Sequence, residues 1–325
     1  MTVIMLIMLA LWSTVGTGAG SVAIAADKSQ PPADQPASSS SEKKAEPSRR
    51  PLQRMEERFL GATPEERARL EAERERLSAA AAAFGTDPTA VVGFYQATYG
   101  HTVLTNNLRL DVATATIRVP VTPNWLVQVN MPYAWADVDQ SRAFPLKGGV
   151  DMTMRTGSRI YANENIAVFL GGDASFPTAS ERQLGTGKYT VGPGGAVAVP
   201  LPRVQSLFFL LVQDFNSIGG DPSRANLHYM RVQPTVNTIW SDHWWTLVSF
   251  NWDVDWNSNR KSALNTLAEV GYRFDNHWNF FAGPGVGVVG RDTFLGLDWT
   301  VQAGIRWVYS TPLISSTFID NPNVR

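Results

Sequence analysis

Chemistry in this chain of 325 residues has few side chains to draw on, because it holds four histidines and no cysteine. His101, His228, His243 and His277 are scattered, none stands in an HExxH zinc motif, and no serine sits at the centre of a GxSxG elbow. Without cysteine there is no thiol nucleophile, no disulfide, no Cys-ligated zinc or iron–sulfur cluster, and no cysteine to carry a lipid anchor. Asp253 and Asp255 share one strand parity, which permits a weak cation site but names no metal. The run Gly185, Thr186, Gly187, Lys188, Tyr189, Thr190 superficially resembles a phosphate loop, yet it lacks the GxxxxGK spacing and no strand-to-helix context follows. No catalytic residue, metal or cofactor is assigned, and the chain is expected not to be an enzyme.

Elements that could position other functions are easier to read. Lys plus Arg number 28 against 29 Asp plus Glu, a formal net charge of -1, which argues against nucleic acid as a partner. Glycine (26), tryptophan (11), tyrosine (8) and phenylalanine (15) are abundant. A mean hydropathy of -0.14 is too polar for a bundle of transmembrane helices. It does not exclude a membrane β-barrel, whose strands alternate polar and apolar residues.

The N-terminal region divides in three. Val3 to Trp12 is an apolar run and Ala23, Ile24, Ala25 fits a small-x-small cleavage site, so residues 1–25 are expected to be a signal peptide. Residues 26–62 are rich in Pro, Ser and charge and read as a disordered polar linker. Thr63, Pro64, Glu65, Glu66 form a capping box with proline at the first helical position, opening an amphipathic charged helix over 63–85 that should run to about Phe84 and stop at Gly85. Leu70, Leu77 and Phe84 repeat every seven residues as a thin apolar stripe. That stripe admits three uses: rest on the barrel, pair with another protomer in a homo-oligomer, or plug a lumen.

From Val91 the period becomes two. In HWWTLVSFNWDVDW, Trp244, Thr246, Val248, Phe250, Trp252, Val254 and Trp256 face one way, and Ser249, Asn251, Asp253 and Asp255 the other. Phe294 to Tyr309 sets Leu295, Leu297, Trp299, Val301, Ala303, Ile305, Trp307 and Tyr309 against Gly296, Asp298, Thr300, Gln302, Gly304 and Arg306. The expected fold class is all-β: a transmembrane antiparallel β-barrel of about twelve strands over 86–310, after a short periplasmic helix and before a C-terminal extension, 311–325. Longer and shorter links alternate, which places the long ones outside the cell and the helix in the periplasm. A strand tilted by about 40° climbs roughly 25 Å in ten residues, the height of the apolar band. The ten-residue spacings Trp125 to Trp135 and Trp299 to Tyr309 therefore fit two aromatic girdles, with Trp244, Trp256, Trp278 and Trp307. The polar parity nominates a lumen lined by Arg109, Asp151, Arg155, Arg159, Asp173, Arg231, Asp253, Asp255, Glu269, Arg273, Asp298 and Arg306, with Gln128, Asn130, Gln233, Asn251 and Gln302. Both signs are present in similar number, so no single-sign selector is expected.

Four segments carry a family resemblance: PYAWAD at 132–137, GGVDMTMR at 148–155, SFPTASERQLGTGKYTVGPGGAVAVPL at 175–201 and QPTVNTIWSDHWWTLVSFNWDVDWN at 233–257. Over roughly residues 100–309 the chain resembles the Gram-negative outer-membrane family named for the MetA pathway of phenol degradation. The resemblance implies a porin-like, transport-related barrel in the outer membrane, passing small solutes, aromatic or hydrophobic ones among them, by passive diffusion. Its partners would be outer-membrane lipid, the solute and the outer-membrane assembly machinery. The alternative is a structural or anchoring barrel with a closed lumen and an interaction helix.

Overall fold

A computed structural model describes residues 63–104, 108–138, 146–293 and 296–313. The expected signal peptide, the linker and most of the C-terminal extension lie outside them. Residues from Glu73 onward make one compact unit, and the first turns of the helix, up to Ala72, belong to another.

The helix Pro64–Phe84 starts where the capping box puts it, with the Glu66 N–H donating to Thr63 Oγ1 at 3.2 Å. It ends in a Schellman turn. Gly85 adopts φ +67°, its N–H donates to the Ala82 carbonyl (2.9 Å), and the Thr86 N–H reaches the Ala81 carbonyl (2.9 Å).

Thirteen strands follow: β1 Gly93–Leu104, β2 Leu108–Pro120, β3 Trp125–Val138, β4 Leu146–Gly149, β5 Met152–Ala162, β6 Ala167–Phe176, β7 Lys188–Leu201, β8 Ser206–Gly220, β9 His228–Ile239, β10 Trp244–Asp255, β11 Lys261–Arg273, β12 Trp278–Val289 and β13 Trp299–Tyr309. Each pairs antiparallel with its sequence neighbour except β4 and β5, which do not pair with each other, and β1 pairs with β13, so the wall closes on itself. β4 and β5 both pair with β3, β4 along Tyr133–Ala136 and β5 along Trp125–Asn130, so together they fill one position in a twelve-position barrel. That wall position is thus interrupted at Val150 and Asp151, between β4 and β5. Closure leaves no open edge, which a strand wall in lipid requires.

Burial follows the expected parity. In β10, Trp244, Phe250 and Trp252 are exposed, whereas Trp245, Ser249, Asn251, Asp253 and Asp255 are buried. Trp125, Trp135, Trp256, Trp278 and Trp299 stand exposed on the outer face, with Trp307 and Tyr309 half-buried. Tyr95, not expected among them, stacks on both Trp307 (5.7 Å) and Tyr309 (5.7 Å). A wall apolar outside and polar inside is the inverse of a soluble sandwich. Accordingly, Phe250→Arg should cost about 2–4 kcal/mol of folding free energy in lipid, and Asn251→Arg much less. Heat-modifiable migration after folding into vesicles reads both, and equal losses would show that this alternation does not separate lipid from lumen.

Two expectations fail at the long-loop end. Arg109 was expected in the lumen but is exposed on the outer face, and Leu108, Leu110 and Val112 point inward instead. Leu297 was expected to face out but is buried inside, at 4% exposure. Leu297 precedes β13, which starts at Trp299, so the alternation read from Phe294 does not govern it. Beyond the apolar band the outside of the wall is water, so there the barrel acquires an ordinary core: Leu104, Leu108, Leu110, Val112, Ala134, Ala136, Val150, Leu184 and Leu297 form one cluster. Polar groups turn outward at that level, where Asp111 accepts from Tyr99 Oη (2.6 Å) and contacts His101 Nδ1 (2.8 Å).

Candidate functional site: an occupied lumen

The end of the helix lies inside the barrel at the mouth formed by the short turns. Leu77, Ala81 and Phe84 have no exposed surface and pack against inward-facing Ala198, Leu207, Phe209, Ile239, Trp245 and Phe281, which come from β7, β8, β9, β10 and β12. Phe84 stacks on Trp245 at 6.0 Å and 27°. The indole lies flat against the wall because its neighbour on β11 is Gly271, where a β-carbon would overlap the ring. Of the three uses open to the apolar stripe, the structure shows the plug for Leu77 and Phe84. Leu70 belongs to the other unit.

The barrel also caps this helix. The last turn contains no basic residue. Its exposed carbonyls are met instead from the wall: Arg306 Nη1 donates to the Phe84 carbonyl at 2.6 Å and Asn279 Nδ2 to that of Ala83 at 3.3 Å. A cation at a helix C-terminus complements the negative end of the macrodipole. Asn237 Nδ2 donates to Thr86 Oγ1 (2.5 Å), one residue past the glycine. At the rim, Arg76 lies 3.7 Å from Asp242 of the short turn before β10, an exposed pair that contributes little.

Residues 85–92 then form a strap inside the barrel that leads to β1. Val91 packs against the cluster of Leu126, Phe169, Ala196 and Leu211 on β3, β6, β7 and β8. Within the strap, Asp87 is buried and its Oδ1 accepts from the Thr89 N–H (2.7 Å) and hydroxyl (2.7 Å). Burial pushes its carboxyl above the usual carboxylate range, against those two hydrogen bonds.

Between strap and wall lies a chamber of about 150 Å³. Arg118 of β2 and Arg306 of β13 flank Phe94, their guanidinium carbons 4.4 Å and 5.2 Å from its ring centre. Arg118 Nε donates to Gln128 Oε1 (2.8 Å), and Arg306 Nε to Gln96 Oε1 (2.6 Å). Glu269, buried, accepts from Gln302 Nε2 at 3.1 Å. Asn130, Gln233 and Asn251 complete a lining in which amides outnumber charges.

Other nominated residues serve the wall rather than the chamber. Arg155 holds Asp173 through two hydrogen bonds (2.7 and 2.8 Å) between β5 and β6. Arg231 holds Asp253 through two (2.6 and 3.1 Å) between β9 and β10, both side chains at most 1% exposed. Asp253 is therefore spoken for, and Asp255 accepts from the Asn257 N–H (2.9 Å), so the pair is not an open cation site. Among the described residues no group of three or more His, Asp or Glu could hold a metal. Asp151, in the break between β4 and β5, anchors the loop 177–187, accepting from the Ala179 N–H and from the N–H and hydroxyl of Thr186. That contact brings Leu184 into the cluster at the long-loop mouth and accounts for the glycine-rich run as a docked loop. Arg159 is half-buried on β5 and carries charge toward Asp87. Arg273 donates to the Asp275 carbonyl and Asn276 Oδ1 in the turn after β11, and Asp298 lies half-buried before β13.

Arg118 was missed, although its parity was available. It lies nine residues from Arg109, so only one of the two can face inward.

No protein-family model matches the chain, and no curated protein matches it. Solved structures do. An outer membrane channel from Pseudomonas putida F1 superposes with a TM-score of 0.52 at 13% identity, covering 68% of this chain and 96% of that one. The fold is that of an outer-membrane barrel. The NanC porin is similar at TM-score 0.45 and 11% identity, over 66% of this chain and 98% of its own. The translocator domain of the autotransporter NalP from Neisseria meningitidis gives 0.41 and 12%, over 74% and 96%. These likenesses, none above 13% identity, show the fold alone and do not narrow it to the phenol-degradation family.

Proposed function

We propose that this outer-membrane barrel is a passive channel for small solutes whose lumen is closed, at the short-turn mouth, by its own N-terminal helix. The observation that carries the reading is the docking of Leu77, Ala81 and Phe84, wholly buried, under a chamber lined by amides and charges. A barrel serving only as an anchor could fill its interior with apolar side chains. This one keeps a polar chamber and covers it with an element joined to the wall through eight strap residues, 85–92. The side chains holding the helix end, Arg306, Asn279 and Asn237, make single neutral or charge-assisted hydrogen bonds that water can replace.

The short-turn mouth is assigned to the periplasm, because outer-membrane barrels keep short turns there and long loops outside. Cysteine at Ser180, in the loop 177–187, should react with a membrane-impermeant thiol reagent on intact cells, and cysteine at Glu71 should stay silent. Labelling at Glu71 with Ser180→Cys unlabelled would reverse the orientation. The chain's lack of cysteine leaves no background.

A further inference from the structure

Glu269 is a buried carboxylate without an ion pair. It is 7% exposed and accepts from Gln302 Nε2 at 3.1 Å, and no base among the described residues pairs with it. A charge held out of water without a counter-charge is costly. The cation that could answer it stands nearby. Arg306 borders the same chamber, and Glu269 is the carboxylate whose charge acts on it. Gln302, which holds Glu269, lies four residues before Arg306 on the same inward face of β13.

What keeps the two apart is the helix. Arg306 Nη1 donates to the Phe84 carbonyl and Nε to Gln96 Oε1, each at 2.6 Å, which commits the guanidinium to the helix terminus. The stem is pinned as well. A β-carbon on Gly85 would lie 2.8 Å from Arg306 Cδ, so the turn that ends the helix sits directly on the arginine. When the helix leaves, the Phe84 carbonyl and the Gly85 backbone leave with it. Arg306 is then free to turn within the chamber toward a carboxylate that lacks a cation, and a guanidinium bonds an ionised acceptor more strongly than a neutral carbonyl.

We propose that Arg306 is a two-position switch, capping the docked helix in one state and pairing with Glu269 in the other, so that Glu269 favours release of the helix. The proposal adds a releasing element to the closure read above. It rests on that reading for the docked helix and not for conduction.

Amide hydrogen exchange over residues 73–84 of the full-length folded barrel reads docking without reference to current. Four chains are compared: the parent, Glu269→Gln, Arg306→Gln and the double variant. Glu269→Gln keeps an acceptor for Gln302 and removes the charge, so the helix should exchange about threefold more slowly. Arg306→Gln removes the cap and should speed exchange roughly tenfold or more. The double variant should match Arg306→Gln alone, because Glu269 then has no guanidinium to draw away. Faster exchange in Glu269→Gln would show that the carboxylate supports the docked cap, and unchanged exchange that it does not compete for Arg306. Either overturns the proposal, as does a slowing that persists without Arg306. Heat-modifiable migration and unchanged exchange in the strands establish that each chain is folded. Should Arg306→Gln not fold, the sign of the Glu269→Gln effect decides alone. A barrel that shows the slowing but conducts nothing fails only as a channel, and one that conducts without the slowing fails only this proposal.

Discussion

Replacing Leu77 and Phe84 together by alanine is expected to release the helix from the lumen while the barrel stays folded. Both side chains are wholly buried, and Phe84 is the ring that Trp245 and Phe281 enclose. Truncating one buried Phe costs about 3–5 kcal/mol and one Leu about 2–5. The strand ladders touch neither, so the loss falls on docking. Amide hydrogen exchange over residues 73–84 should therefore accelerate by roughly a hundredfold or more, since each 1.4 kcal/mol is a factor of ten, with little change in the strands. Unchanged exchange in the helix would mean that the packing of Leu77 and Phe84 does not hold it.

The second large effect is expected at Arg231 and Asp253. Asp253→Ala strands a guanidinium that is 1% exposed, and breaking a buried pair from one side costs about 3–5 kcal/mol. Replacing both, as Arg231→Met with Asp253→Leu, should recover most of that loss, because the desolvation penalty disappears with the charges. Urea unfolding from vesicles measures the cycle. A double variant as unstable as Asp253→Ala would show that the two side chains do more than neutralise each other.

How far the sequence reaches depends on whether a feature is local. The period of two from β1 to β13 is written in consecutive residues, so the twelve wall positions, the outer tryptophans and most inward charges are legible. The helix boundaries are legible for the same reason: Thr63 caps and Gly85 stops. Arg109 is misread because parity carries no record of height, and polar and apolar faces exchange once a strand leaves the apolar band, whereas Leu297 is misread because it precedes β13. The break at Val150 and Asp151 is invisible because its cause, the docked loop around Thr186, is thirty-five residues away. Least legible is the plug. Leu77 and Phe84 form a stripe that would suit a barrel's outer wall or a second helix equally well. What selects the lumen is a receptor assembled from five strands, with the carbonyl of Phe84 seated on an arginine 222 residues later.

Whether the lumen conducts, and whether the helix is what closes it, is read most directly by single-channel recording in planar bilayers of the parent chain beside the Leu77→Ala, Phe84→Ala variant. The parent should be silent for most of the record, and the variant should show long open steps of the same unit size as any brief parental openings. Two equally conducting barrels would contradict closure by the helix. Two silent ones, with the helix shown by exchange to be released, would contradict the channel.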